Sequence, residues 1–367
     1  MNRIHQAGRW LMALALPVSA GLCQAQPAPV GEVLDTPALQ VARAEQAVMT
    51  ALARAGERLV AVGERGLVLL SDDNGQHWRQ AQVPVSVSLT AVQFVDSRQG
   101  WAVGHAGVVL KSVDGGEHWT LQLDGHQAAQ IELAAARQAL DYAADADSAQ
   151  ARVQSAERLL AEGADKPLLA LQFVDARRGL VVGAYGLALQ TLDGGATWQS
   201  LMGQVDNPGG AHLYAIAHQG PRWFLGGEQG YLARSEDDGQ SFVALDSPYA
   251  GSFFALQLRA DGALLVAGLK GHAFVSSDGG DSFQPLPVAQ PVSFSAATRL
   301  ADGRALLVNQ GGALFLGDGP GGAPLQPFAQ PLGRPVAGLI QAADGSLVLA
   351  GFTGLLRLPQ PSPAQAE

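Results

Sequence analysis

The 367-residue chain holds a single cysteine, only 15% charged residues and 6% aromatics, with no basic block. One cysteine excludes a disulfide framework. With 23 Lys and Arg against 33 Asp and Glu, the net charge is −10, which excludes a nucleic-acid-binding surface of the usual electrostatic kind. A membrane-spanning helix needs roughly 18 to 20 apolar residues, and beyond the N-terminus no run reaches that length, so the mature chain is not expected to span a membrane. What the chain has in quantity is glycine, 45 residues, and a 47% hydrophobic content. A chain this apolar packs a core and is not a disordered tail protein. Its length admits two domains or one large all-β domain, so the organisation has to come from internal pattern.

Arg3 and Arg9 lead into the apolar stretch Leu11 to Val18, followed by small-residue sites at Val18-Ser19-Ala20 and Cys23-Gln24-Ala25. That order of charge, apolar core and cleavage site is that of a secretory signal peptide over residues 1–25, cleaved after Ala25 or, alternatively, Ala20. A lipid on Cys23 is disfavoured because Leu22 stands where lipoprotein signals carry a small residue. Without Arg3 and Arg9 the mature chain has 21 basic and 33 acidic residues, net −12, and no cysteine. It is expected in the periplasm or another exported compartment, folded on packing alone.

Internal repeats organise the rest. The string Ser112-Val113-Asp114-Gly115-Gly116-Glu117-His118-Trp119 recurs with Asp193 and Trp198 in Thr191 to Trp198, and with Asp73 and Trp78 in Ser71 to Trp78. Two copies end in Phe: Ser235 to Phe242, with Asp237, and Ser276 to Phe283, with Asp278. About ten residues upstream lies a second marker, an aliphatic run ending in Gly-x-x-Gly, at Gly63, Gly104, Gly183, Gly227 and Gly268, continuing at Asn309 and Gly351. The intervals are 41, 79, 44, 41, 41 and 42 residues, so seven units are present and one interval carries extra chain. Each unit reads as four short strands separated by Gly- and Asp-rich turns, as in Leu89 to Val95, Trp101 to Val103, Val108 to Ser112 and Trp119 to Gln122. Units of about 40 residues with four strands predict an all-β, seven-bladed β-propeller over residues 26–359, with 360–367 a disordered tail. The seventh unit runs out into Pro359-Gln360-Pro361 before a fourth strand, so the segment Val30 to Gln46 is expected to supply the outer strand of blade seven and close the ring; the alternative is a loose N-terminal arm.

Within each box the Asp can accept bonds from its own turn, the Ser or Thr hydroxyl adds another, the Gly takes a positive φ, and the aromatic ring buries beside a neighbouring blade. One well-placed carboxylate per box is too few for calcium, which gathers several oxygens, so no metal is expected. These boxes resemble the Asp-box, or bacterial neuraminidase (BNR), repeat. The longer unit, seen best in Phe94-Val95-Asp96-Ser97-Arg98-Gln99-Gly100-Trp101-Ala102-Val103-Gly104 through Trp119, resembles the photosystem II stability and assembly factor family of exported seven-bladed propellers. The resemblance implies a non-enzymatic scaffold whose partner is a membrane-complex subunit; an envelope transporter is equally open.

The chain departs from that pattern at 124–166, which lies between blades two and three and has no Gly between Gly125 and Gly163. Leu133, Ala136, Leu140 and Ala144 mark one helical face and Ala149, Val153, Ala156 and Leu160 another, predicting an inserted helical hairpin with an Asp147/Gln150 capping box and a stop at Gly163. The period resumes at Pro167, so the ring itself is not expected to need the insertion. In a four-stranded blade the boxes fall on the back, whereas the Gly-x-x-Gly turns and the blade-to-blade links share the front. Glu64, Arg65, His105, Tyr185, Glu228, Lys270, His272 and Phe352 are therefore the candidate partner-binding residues, set beside the hairpin.

A carbohydrate-directed site and cofactor chemistry bear testing against this. A sialidase-like hydrolase, or a glycan-binding propeller, needs an arginine cluster, a Tyr with a Glu partner and an acid/base carboxylate. The Phe/Tyr-Arg-Ile-Pro start of such enzymes is absent, and the innermost strands carry almost no Arg. The eight His lack metal-ligand spacing, and the Gly-rich strings lack a nucleotide-loop context, so no cofactor is expected.

Overall fold

The computed structural model describes residues 32–288, 290–317 and 323–359. The signal peptide at 1–25 and the tail at 360–367 lie outside the described residues. Seven antiparallel sheets follow one another along the chain, six of four strands and a last one of three. Blade one is Met49–Ala55, Arg58–Gly63, Val68–Ser71 and Arg79–Gln80, paired in chain order, and the later blades repeat it. The first strands are Leu89–Phe94, Leu168–Phe173, Leu213–Gln219, Phe253–Leu258, Phe294–Arg299 and Val336–Gln341 in blades two to seven. Second strands are buried along almost their whole length, for example Gly100–Gly104 and Leu264–Gly268, because both of their faces pack against other blades.

The core consists of side-chain layers between blades. Trp119 and Phe94 of blade two meet edge to face at 5.9 Å within a cluster that includes Val60 and Leu70 of blade one. Trp198 of blade three packs with Trp101 and Val103 of blade two, where Phe173 stacks on Trp101 at 3.8 Å. Each box aromatic thus faces the preceding blade, as its sequence position predicts. Such a ring removed from the core costs about 3–5 kcal/mol.

A second periodic contact binds the box turns. Arg58 donates to the carbonyl of Gly115 at 3.1 Å, Lys111 to Gly194 at 2.9 Å and Arg234 to Gly279 at 2.7 Å. In every case the acceptor follows the box Asp of the next blade. Arg357 of blade seven makes the same contact with Asn74 of blade one, at 2.9 Å, and pairs with Asp344 at 2.6 Å.

That contact joins the last blade to the first, which corrects the expected closure. No strand forms from Glu32 to Gln46, and the residues before Glu32 lie outside the described ones. The backbone of this segment is already engaged elsewhere. Ala38 N–H donates to Val83 O at 3.0 Å and Ser86 N–H to Val33 O at 2.9 Å, while the Gln80 amide holds Leu39 O and Val41 N–H. Where the chain reaches blade seven it forms a tight turn, Ala44–Gln46, seated so closely on Gly354 that a Cβ there would lie 2.2 Å from Glu45 O.

The insertion is a helical hairpin of α1, Gly125–Leu140, and α2, Ala146–Glu162. Most residues of the sequence-predicted faces form its inner seam, with Leu133, Ala136 and Leu140 against Val153, Ala156 and Leu160; Ala144, expected on the first face, lies exposed beyond the end of α1, and Ala149 stands outside the cluster. Gly163 ends α2 with φ 80°, as predicted. The cap differs from expectation. Asp145, two residues before the expected Asp147, is the N-cap and accepts the N–H groups of Asp147 and Ser148, and a capping box sits instead at Asp124 and Gln127 of α1.

The hairpin is also docked, not free. Ala128 of α1 is buried with Ile131 and Leu159 against Leu123, Leu187 and Met202 of the ring. Glu132, 2% exposed, takes two bonds from Arg152 of α2, at 2.8 and 3.0 Å, and a third from the hydroxyl of Ser200 in the outer strand of blade three. The expectation that the ring does not need the insertion overlooks this face, because a four-residue period shows the seam between helices but not the second contact with the blade.

Candidate functional site

The front is built from one local device repeated around the ring. Each second strand but that of blade six, which ends in Asn309, ends in a glycine pressed against the chain entering its own blade: a Cβ on Gly227 would lie 2.3 Å from His212 O, and one on Gly63 would lie 2.2 Å from Val48 O. A tight turn follows, as in Glu64–Gly66, His105–Gly107, Ala184–Gly186, Glu228–Gly230 and Leu269–Gly271. Its middle residue is left-handed, with φ 52° at Arg65, 56° at Tyr185 and 55° at Lys270, and these three side chains are exposed, whereas Ala106 in the same place of blade two is buried. The turns share a face with the hairpin, since Gly107 abuts Gly125 at the start of α1.

Opposite each of these glycines the first strand starts with a buried anchor, such as Met49, Leu213 or Phe253, and then bulges by one residue. The bulged residues in blades one to seven are Thr50, Thr90, Leu169, Tyr214, Phe254, Ser295 and Ala337. Thr50 and Thr90 use their hydroxyls to bond the next blade, at Leu89 O and Leu168 O, both 2.7 Å. Blades four and five place aromatic rings there instead. Bulges re-aim side chains, and these two aim large ones at the front end of the innermost strands.

Only part of the sequence-predicted set converges. Tyr185, 56% exposed, meets the His212 ring at 4.9 Å; His212 meets Tyr214 at 6.3 Å, and Tyr214 meets Phe254 at 5.2 Å. This arc crosses blades three, four and five. The Tyr185 N–H donates to His212 Nδ1 at 2.9 Å, which makes that ring nitrogen an acceptor. Glu228 accepts the His212 backbone N–H at 3.3 Å, just as Glu64 accepts that of Val48 at 3.1 Å in blade one. Burial, and then the charge of Glu228, push the Tyr214 phenol above its ordinary pKa. Lys166 closes the arc on the hairpin side, its ammonium 4.9 Å from the Tyr185 ring; burial opposes its charge, but Asp165 and Glu162, at 2.6 and 2.7 Å, hold its pKa up.

The other candidates lie apart. His272 stacks on Tyr249 at 4.1 Å and, with Lys270, lines a cleft of about 350 Å³ beside the link at Pro287 and Pro291. Arg65, His105 and Phe352 stand exposed on separate blades. Lys166, His212, Tyr214, Phe254 and Tyr249 escaped the sequence reading. The signal for Tyr214 and Phe254 was available: align the seven units at their buried anchor, and the next residue reads Thr, Thr, Leu, Tyr, Phe, Ser, Ala.

The boxes on the back are filled turns. Both oxygens of Asp114 are engaged, by Ser112 Oγ at 2.9 Å and by the His118 N–H and ring nitrogen at 3.1 and 2.8 Å. Asp193, bonded by the side chain and then the backbone of Thr197, is held down at about 2. Burial works upward on Asp237, but the hydroxyls of Ser235 and Ser241 outweigh it and hold it at about 2 as well. Among the described residues no group of three His, Cys, Asp or Glu is placed to hold a metal ion, and no helix is long and apolar enough to cross a membrane.

The family model for photosynthesis system II assembly factor YCF48 matches residues 70–139 and 150–357. A solved structure of YCF48 bound to a D1 peptide is 15% identical to the chain, with a TM-score of 0.62 over 89% of this chain and 100% of that one. YCF48 from Cyanidioschyzon merolae is 13% identical, with a TM-score of 0.60 over 86% and 96%. The computationally designed Ika8 protein is 17% identical, with a TM-score of 0.56 over the same shares. Likeness at these identities is likeness of fold. No curated protein matches the sequence.

Proposed function

The chain belongs to the photosynthesis system II assembly factor YCF48 family, and on that premise we propose that it is an exported, non-enzymatic scaffold whose propeller front holds a partner protein during assembly or stabilisation of a membrane or cell-envelope complex. The carrying observation is the arc of Tyr185, His212, Tyr214 and Phe254, where an exposed turn ring of blade three meets partly exposed rings of blades four and five, two of them standing at the bulge position. Exposed aromatic anchors beside polar groups suit protein recognition. Hydrolysis is poorly served by the same groups. A tyrosine whose phenol is pushed up is less ionised near neutral pH, and among the described residues no Lys or Arg pairs with Glu228 to begin a carboxylate-binding cluster. The related YCF48 that was solved with a D1 peptide makes a peptide segment of a membrane-complex subunit the natural class of partner; a subunit of an envelope transporter is of the same class.

Export rests on the Arg3, Arg9 and Leu11 to Val18 pattern, and N-terminal sequencing of the mature protein should begin after Ala25 or Ala20. The docking role is tested by photo-crosslinking in the source cell's envelope fraction, with p-benzoylphenylalanine in place of Tyr185 on the front or Leu192 on the back, both more than half exposed. A discrete membrane-complex subunit should be captured from position 185 and not from 192. Capture from 192 alone, or from neither, overturns the proposal.

A further inference from the structure

Glu64 and Glu228 occupy the same place in blades one and four. Each opens its front turn and accepts the backbone N–H that precedes the buried anchor. Their surroundings differ. Beside Glu64 the bulged residue is Thr50, whose hydroxyl is spent on Val62 O and Leu89 O. Beside Glu228 stand Tyr214 and, across the blade junction, Phe254, with their rings 5.2 Å apart. Glu228 has no Lys or Arg within ion-pair distance among the described residues; the basic side chain nearest it is His212, at 3.7 Å, whose Nδ1 already accepts the Tyr185 N–H. The one lysine at the edge of the arc, Lys166, is already held by Glu162 and Asp165. The site therefore combines an uncompensated carboxylate with electron-rich ring faces, in a chain of net charge −10.

Those two features attract the same kind of group. A cation gains from a carboxylate through charge-assisted hydrogen bonds and from aromatic faces through their quadrupoles, and a site that offers both selects for positive charge. The chain already uses one ring of the arc in this way, with the Lys166 ammonium over Tyr185. We infer that the blade-four front, between Glu228, Tyr214 and Phe254, takes a cationic side chain, the arginine or lysine of an extended partner segment. This rests on the docking role proposed above and specifies what the docked segment must carry. Apolar residues flanking the cation would lie along Leu169 and Phe254, both partly exposed at the bulge ring.

The probe is the peptide acetyl-Ala-Leu-Arg-Leu-Ala-amide, titrated by NMR against the whole mature protein, with the same peptide carrying citrulline in place of arginine. Citrulline keeps the shape and removes the charge. The arginine peptide should bind about tenfold more tightly or better. Glu228→Gln keeps an acceptor for the His212 N–H and should reduce the arginine peptide to the citrulline level, as should Tyr214→Ala. Blade one has Thr50 and no ring at its bulge, which takes the sequence candidate Glu64 out of the cation site, so Glu64→Gln, the equivalent change there, should leave binding of this peptide unchanged. Equal binding of the two peptides, no saturable binding at millimolar peptide, or an equal loss in Glu64→Gln overturns the inference. Crosslinking from position 185 in the Glu228→Gln protein separates it from the docking role. A partner still captured at full yield leaves the role standing and removes the cation site; a peptide preference with no partner captured does the reverse.

Discussion

Glu132→Ala should uncouple the helical hairpin from the ring. The carboxylate is 2% exposed and its two Arg152 contacts, at 2.8 and 3.0 Å, join α1 to α2, while the Ser200 hydroxyl joins both to blade three. Removing one partner of a buried ion pair costs about 3–5 kcal/mol when the other charge stays buried. The Arg152 side chain is 22% exposed and can recover part of its hydration, which brings the expectation to about 2–4 kcal/mol. In a chain of this length a loss of about 3 kcal/mol lowers Tm by roughly 4 °C. Urea melts of Glu132→Ala, Arg152→Ala and the double variant should give a coupling of about 2 kcal/mol. Hydrogen exchange locates the effect: amides of 125–162 should exchange faster while those of the second strands do not. A Glu132→Ala protein within about 0.5 kcal/mol of the parent, with unchanged exchange in both helices, would refute the docking argument. Replacing 125–166 by a short linker should accordingly destabilise the ring, because it uncovers Leu123 and Met202.

Arg357→Ala removes the contact with Asn74 that joins blade seven to blade one and should cost about 1–3 kcal/mol, with Arg357→Lys intermediate, read from urea midpoints. Asp114→Ala should cost about 1–3 kcal/mol by stranding the donors of its turn, and calcium should leave the melt of either protein in place; a calcium-dependent gain of many degrees in the parent alone would make the box a metal site. Asp193 and Asp237 are held at about 2 in the fold against an ordinary 3.8, so their contribution to stability is complete above about pH 4 and is lost as pH falls toward 2. Thr197→Ala should flatten that acid slope at Asp193, measured as the urea midpoint between pH 5 and pH 2.

The propeller was legible because what specifies it is local and periodic. The box needs an Asp, a Gly and an aromatic within eight residues, and the front marker needs a glycine where the strand end presses on the incoming chain, so five of the seven blades write the box and six the marker glycine, at a near-constant interval broken once by the insertion. The hairpin seam was legible for the same reason, its apolar residues recurring at helical spacing. The closure was not. Whether the segment 32–46 pairs with blade seven or with the link after blade one depends on a competition for backbone partners, and Val83, Ser86 and the Gln80 amide win it without any motif to announce them.

The front site shows the same limit from the other side. Tyr185, His212, Tyr214 and Phe254 belong to three blades, and nothing in their sequence spacing brings them together; the ring does. A repeat that is read for what its copies share discards the positions where they differ, yet a propeller can recognise a partner only where its symmetry is broken. The bulge position is held in place by a conserved geometry, a buried anchor facing a glycine, which leaves its side chain free to vary without cost to the blade. Thr50 and Thr90 spend that freedom on a bond to the next blade, and Tyr214 and Phe254 hold partly exposed rings there instead. Tyr214→Thr should therefore be tolerated by the fold, since it restores the residue that blades one and two already use, and should weaken capture of the partner. A Tyr214→Thr protein that melts well below the parent would mean that the ring at blade four serves packing, and that the aromatic arc is a feature of the core.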